Sequence, residues 1–79
     1  MFPFREWLKL KNDIVEFSFK KIYAPGFNKF FVTGLDSDRN NVSFDIIQNQ
    51  DGKWSIVQQV PEAIYQIKEE LVNVIKEHS

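Results

Sequence analysis

From Val60 onward the apolar residues recur every three or four positions, at Val60, Ile64, Ile67, Leu71, Val74 and Ile75. That spacing draws one face of an α-helix, and Tyr65 and Val72 widen the stripe. Pro61 suits the first helical position, where a backbone N–H would lack a partner and φ is already helical. Glu62 in the first turn, with Lys76 and His78 in the last, complements the helix macrodipole. The pattern predicts a helix over 61–77, stabilised mainly by docking its apolar face.

Upstream the period falls to two. In "DIVEFSFKKIY" Val15, Phe17 and Phe19 alternate with Glu16, Ser18 and Lys20. In "NVSFDIIQN" Val42, Phe44 and Ile46 alternate with Ser43 and Asp45. Such alternation marks strands with one buried face. "NKFFVTG" and "KWSIVQQ" are further β-rich runs, and Pro25-Gly26 suits the central positions of a type II turn. An antiparallel meander of four strands follows, near 13–23, 28–35, 41–49 and 53–59.

The Asp51-Gly52 turn fixes the register of the last hairpin. A two-residue loop would set Ile46 opposite Val57 and put Trp54 and Ile56 on the face away from Phe44. A three-residue loop, Gln50-Asp51-Gly52, sets Ile46 opposite Ile56 and gathers Val42, Phe44, Ile46, Trp54 and Ile56 on one face. Register follows the hydrophobic pattern, and a type I turn closed by a left-handed Gly is a common three-residue hairpin. The longer loop is expected.

The first residues read two ways. Phe4, Trp7 and Leu8 are helically spaced, whereas Leu8 and Leu10 alternate as in a strand returning through Asn12-Asp13. A short helical or irregular lead-in is the favoured reading, with an extra strand as the alternative. The fold class is α+β, with a core of Val15, Phe17, Phe19, Val42, Phe44, Ile46, Trp54, Ile56, Ile64, Ile67, Leu71 and Val74.

Composition supports a packed fold. The chain has 79 residues, 43% of them hydrophobic, including eight Phe, two Trp and two Tyr. Residues 1–79 make one domain, and the aromatic content argues against disorder. With no Cys, neither disulfides nor a thiolate zinc site is available. The opening run carries Arg5, Glu6 and Lys9, unlike a signal peptide, and no apolar stretch approaches the ~20 residues that span a bilayer. A soluble cytoplasmic protein is the expectation.

The net charge of −1 is uneven. Residues 1–30 hold six Lys/Arg against three acids, and residues 31–79 hold four against eight. Such asymmetry can signal a polyanion-binding patch, although mutual neutralisation across a small fold is the simpler account.

Four functional readings are open to these residues. Asp36, Asp38 and Asn40 alternate like the first ligands of a calcium loop, but Asn41 stands where that loop needs Gly and Ile47 where it needs a bidentate Glu. The segment is read as a hairpin tip closed by its own side chains, with no metal. Single-stranded nucleic-acid binding through Lys20, Lys21, Lys29 and strand aromatics is the alternative function; it is disfavoured because Phe17 and Phe19 belong in the core. Catalysis lacks a constellation: the one His, His78, is next to last, and Ser18, Thr33, Ser43 and Ser55 have no evident base. No phosphate-cradling glycine loop or cofactor motif is present.

The fourth reading is an interface. One helix covers one face of a meander, and the other face would expose Ile14, Ile22, Ile47, Val57 and one of Phe30 or Phe31. Phe2, Phe4 and Trp7 either fold over that face or join it. The expectation is a non-enzymatic binding module without cofactor, with a protein partner or a two-fold homodimer seated on Phe2, Phe4, Trp7, Ile14, Ile22, Phe31, Ile47 and Val57. The "DGKW" run, Pro61 and the amphipathic closing helix resemble the ends of many small bacterial domains. That resemblance covers the last third of the chain and implies no functional residue.

Overall fold

The computed structural model describes residues 3–78. Five strands precede two helices: β1 (Phe4–Leu10), β2 (Asp13–Ile22), β3 (Asn28–Leu35), β4 (Asn41–Gln48), β5 (Trp54–Ile56), α1 (Glu62–Gln66) and α2 (Lys68–Glu77). The strands form one antiparallel sheet in sequence order. The class is therefore α+β, a meander followed by C-terminal helices.

Residues 4–10 form an edge strand, the alternative expectation, and not the favoured helical lead-in. Phe4 stands opposite Phe19 and Leu10 opposite Asp13. The connecting turn is at Lys11-Asn12, with Lys11 in the left-handed region at φ 55°. A left-handed non-glycine residue costs about 1–2 kcal/mol, so the turn is held by the ladder it closes rather than by its own chemistry.

The other turns follow their sequence signals. Gly26 has φ 86°, and the Phe27 N–H approaches the Ala24 carbonyl at 3.4 Å. In the last hairpin Asn49 pairs with Lys53, Gly52 has φ 82°, and Ile46 lies opposite Ile56. The three-residue loop is thus present. The Asn49 side-chain oxygen accepts from the N–H groups of Asp51 and Lys53, both at 3.0 Å.

β5 is shorter than expected because a side chain takes over its ladder. The Val57 N–H still donates to the Asp45 carbonyl at 2.9 Å. The Asp45 N–H then donates to Gln58 Oε1, and Gln58 Nε2 donates to the Asp45 carboxylate, both at 2.7 Å. Pro61 precedes the helix instead of opening it, with extended ψ of 149°. The expected single helix is interrupted at Ile67, whose N–H reaches back three residues to Ile64.

The core unites one sheet face with the helices. Leu10, Val15, Phe17, Phe19, Phe30, Val32, Phe44 and Ile46 cluster with Val60, Ala63, Ile64, Ile67, Leu71, Val74 and Ile75. Val42, Trp54 and Ile56, expected inside, are half-buried against that cluster. Gly34 admits the Phe17 ring: a Cβ there would lie 2.5 Å from Phe17 Cε1 and 3.1 Å from Cγ. Phe4 stacks on Phe19 at 5.0 Å and on His78 at 4.0 Å, joining the first strand to the end of the helix.

Candidate functional site

Strand alternation assigns every side chain to the helix-covered face or the open one. Cross-strand partners share a face, so Arg5, Ser18, Thr33 and Ser43 form one row across the open side. Lys20, Phe31 and Asp45 form the next row, with Val57 at its end. Ile22, Lys29, Ile47 and Ser55 form a third. Trp7 opposes Glu16, and Lys9 opposes Ile14.

The expected interface residues divide accordingly. Trp7 and Ile14 are each 61% exposed, Val57 is 54% and Phe31 37%, all on the open face. Ile22 and Ile47 share that face and are half-buried. Phe4 points the other way, into the stack with Phe19 and His78. Phe2 lies outside the described residues. Residues 4–10 flank the sheet as an edge strand, and among the described residues no element covers the open face.

The basic residues also separate. Lys20 and Lys29 are on the open face with Arg5 and Lys9, whereas Lys21 lines a cavity on the helix side with Asn28, Phe30, Gln48 and Trp54. In that region the Trp54 indole N–H is buried without a hydrogen-bond partner. Phe17 and Phe19 are fully buried and unavailable for stacking. Across the five strands the open face carries four cations (Arg5, Lys9, Lys20, Lys29) against Glu16 and Asp45, although the whole chain is acidic.

Across β1, β2 and β3 this face has a hollow of about 270 Å³ lined by Pro3, Arg5, Ser18, Phe19, Lys20, Phe31 and Thr33. Its polar side chains are two cations and two hydroxyls, and no carboxylate lines it among the described residues. Neither Arg5 nor Lys20 has an ion-pair partner among those residues. The neighbouring acid, Asp45, is already engaged by Gln58 at 2.7 Å and approached by Lys29 at 4.0 Å. A donor-rich hollow beside an exposed ring suits an anion carrying a flat apolar group.

Sequence reasoning missed Arg5, Ser18 and Thr33. Pairing β1 with β2 brings Arg5 beside Ser18, and that pairing was obscured by Glu6 on the apolar side and Trp7 on the polar side. Consistent alternation at Phe4, Leu8 and Leu10 was the signal available.

The Asp36–Asn40 segment is a turn. Asp36 Oδ1 accepts from the N–H groups of Asp38 and Asn40, each at 2.9 Å, and Arg39 adopts φ 65°. Among the described residues no group of three His, Cys, Asp or Glu is placed to hold a metal ion, and no helix is long and apolar enough to cross a membrane. No family model, characterised protein or solved structure matches the chain.

Proposed function

We propose that this protein is a non-enzymatic binding module and that the open face of its sheet is the contact surface. One observation carries the reading: a sheet buried on one side leaves Trp7 and Ile14 exposed at one end of its other face and Phe31 and Val57 exposed beyond the Arg5–Ser18–Thr33 row, without cover from any described element. Four large apolar side chains left on one bare face mark that face as the surface on which a partner docks.

The test compares material captured from cell extract by the intact chain and by two folded variants. Phe31→Glu with Val57→Glu alters the open face, whereas Tyr65→Glu alters an exposed aromatic on α1. The open-face variant should lose the captured set and the α1 variant should keep it. Equal capture by both refutes the assignment of the face.

Self-association through the same face is the second reading, favoured by the 54–61% exposure of Val57, Trp7 and Ile14. A two-fold contact would use each of them twice. Sedimentation of the full chain at rising concentration tests it, and a monomer up to millimolar concentration removes it.

A further inference from the structure

We propose that the hollow formed by Arg5, Ser18, Lys20, Phe31 and Thr33 is a subsite for one nucleotide of a single-stranded nucleic acid, an inference that rests on the open face being the contact surface. The phosphodiester lies against Arg5 and Lys20, and the base stacks on Phe31.

Three features select this ligand. The first is the lining: two cations without ion-pair partners and two hydroxyls, with no carboxylate among the described residues, favour a negatively charged polar group. Phe31 lies directly opposite Lys20 in the ladder and keeps 37% of its surface exposed. A ring held next to a cation is how sequence-tolerant single-strand binders pair base stacking with backbone contact.

The second feature is continuation. Lys9 lies on β1 beyond Trp7 and Glu16, and Lys29 lies on β3, where it also approaches Asp45 at 4.0 Å, so a cation flanks the hollow on either side. An isolated small anion needs only the hollow, whereas a strand of phosphodiesters uses the whole line.

The third feature is the sign of the face. With four cations against two carboxylates, two copies brought face to face place like net charge together, which opposes a second copy as occupant. A polyanion is drawn to the same face and away from the helices, whose exposed side carries Glu62, Glu69, Glu70 and Glu77.

The experiment titrates the full chain into fluorescently labelled single-stranded DNA and RNA of mixed sequence at several salt concentrations. Inorganic phosphate and a free mononucleotide serve as small-anion arms. Binding to the strands should weaken as salt rises, with a slope of roughly −0.7 per phosphate contact. Arg5→Gln with Lys20→Gln should flatten that slope by about one to two contacts' worth. Phe31→Ala should weaken binding roughly 5- to 150-fold at every salt concentration, the equivalent of one lost stack. Arg39→Gln, at the β3–β4 turn, should change affinity by less than about twofold. Circular dichroism and melting curves confirm that each variant is folded.

Absence of strand binding at low salt overturns the proposal, as does binding that ignores Phe31 and Arg5/Lys20 together. Binding of the mononucleotide or phosphate as tightly as the strands also overturns it, in favour of a small-anion site. If the strands fail while the open-face variant still loses its captured material, the contact surface stands and its occupant is a protein or a second copy.

Discussion

Replacing Gly34 with Ala should destabilise this protein, although general propensity argues for the opposite. Glycine in a strand interior costs roughly 0.5–1 kcal/mol relative to alanine through the unfolded chain's freedom. Gly34 is not among the positive-φ glycines, so its backbone alone would accept alanine. The obstacle is Phe17, whose ring would lie 2.5 Å from the new Cβ at Cε1 and 3.1 Å at Cγ. Phe17 is fully buried, so the whole ring must shift inside a packed core. Overpacking of this kind costs about 1–3 kcal/mol. The net loss is then on the order of 1–2 kcal/mol, against a total stability of about 4–12 kcal/mol for a chain this size. The melting temperature should fall by roughly 4–8 °C per kcal/mol. Urea denaturation followed by tryptophan fluorescence measures the change. The same substitution in a Phe17→Leu background, where Cε1 is gone and the remaining Cγ and Cδ atoms belong to a smaller side chain that can turn away, should cost less. Equal or higher stability of Gly34→Ala in the intact chain, or strict additivity with Phe17→Leu, would refute the argument.

Two further substitutions probe the helix and the last hairpin. Leu71→Ala removes a fully buried side chain of α2 from the core and should cost about 2–5 kcal/mol in calorimetry or denaturant unfolding. Gly52→Ala forces a Cβ into φ 82° and should cost about 1–2 kcal/mol, with the Ile46–Ile56 register unchanged by NMR contacts.

Much of this architecture was legible because local and global demands agreed. The apolar spacing from Ile64 to Val74 marked helix, and the need to bring Trp54 and Ile56 to the side of Phe44 selected the right loop length. The N-terminal strand was obscured for a physical reason. "FREWLKL" places Glu6 on the half-buried side and Trp7 on the open side, so its alternation is broken and a helical spacing appears instead. Its Lys11-Asn12 turn lacks the glycine that would have advertised it. The shortening of β5 was equally unreadable, since a Gln58 side chain takes the place of backbone. Missing β1 also concealed the hollow, which exists only because Arg5 comes to rest beside Ser18 and Phe31. The lysines of "FSFKKIY" were visible, but the buried Phe17 and Phe19 were not the rings to pair with them.

The order β1-β2-β3-β4-β5 has a consequence for how the chain reaches its native state. Each ladder joins neighbours separated by a short turn, so the loop entropy of each pairing is small. Hairpins of this kind close in roughly 1–10 μs, and the sheet can grow by adding one strand at a time. The Phe4–His78 stack is different, because it unites residues from opposite ends of the described chain. It gains nothing until the sheet and α2 are already in place, which assigns it to the late side of the folding barrier. Contacts formed that late act mainly on the unfolding rate. Phe4 thus works as a latch on the lifetime of the native state while leaving the speed of its formation to the hairpins.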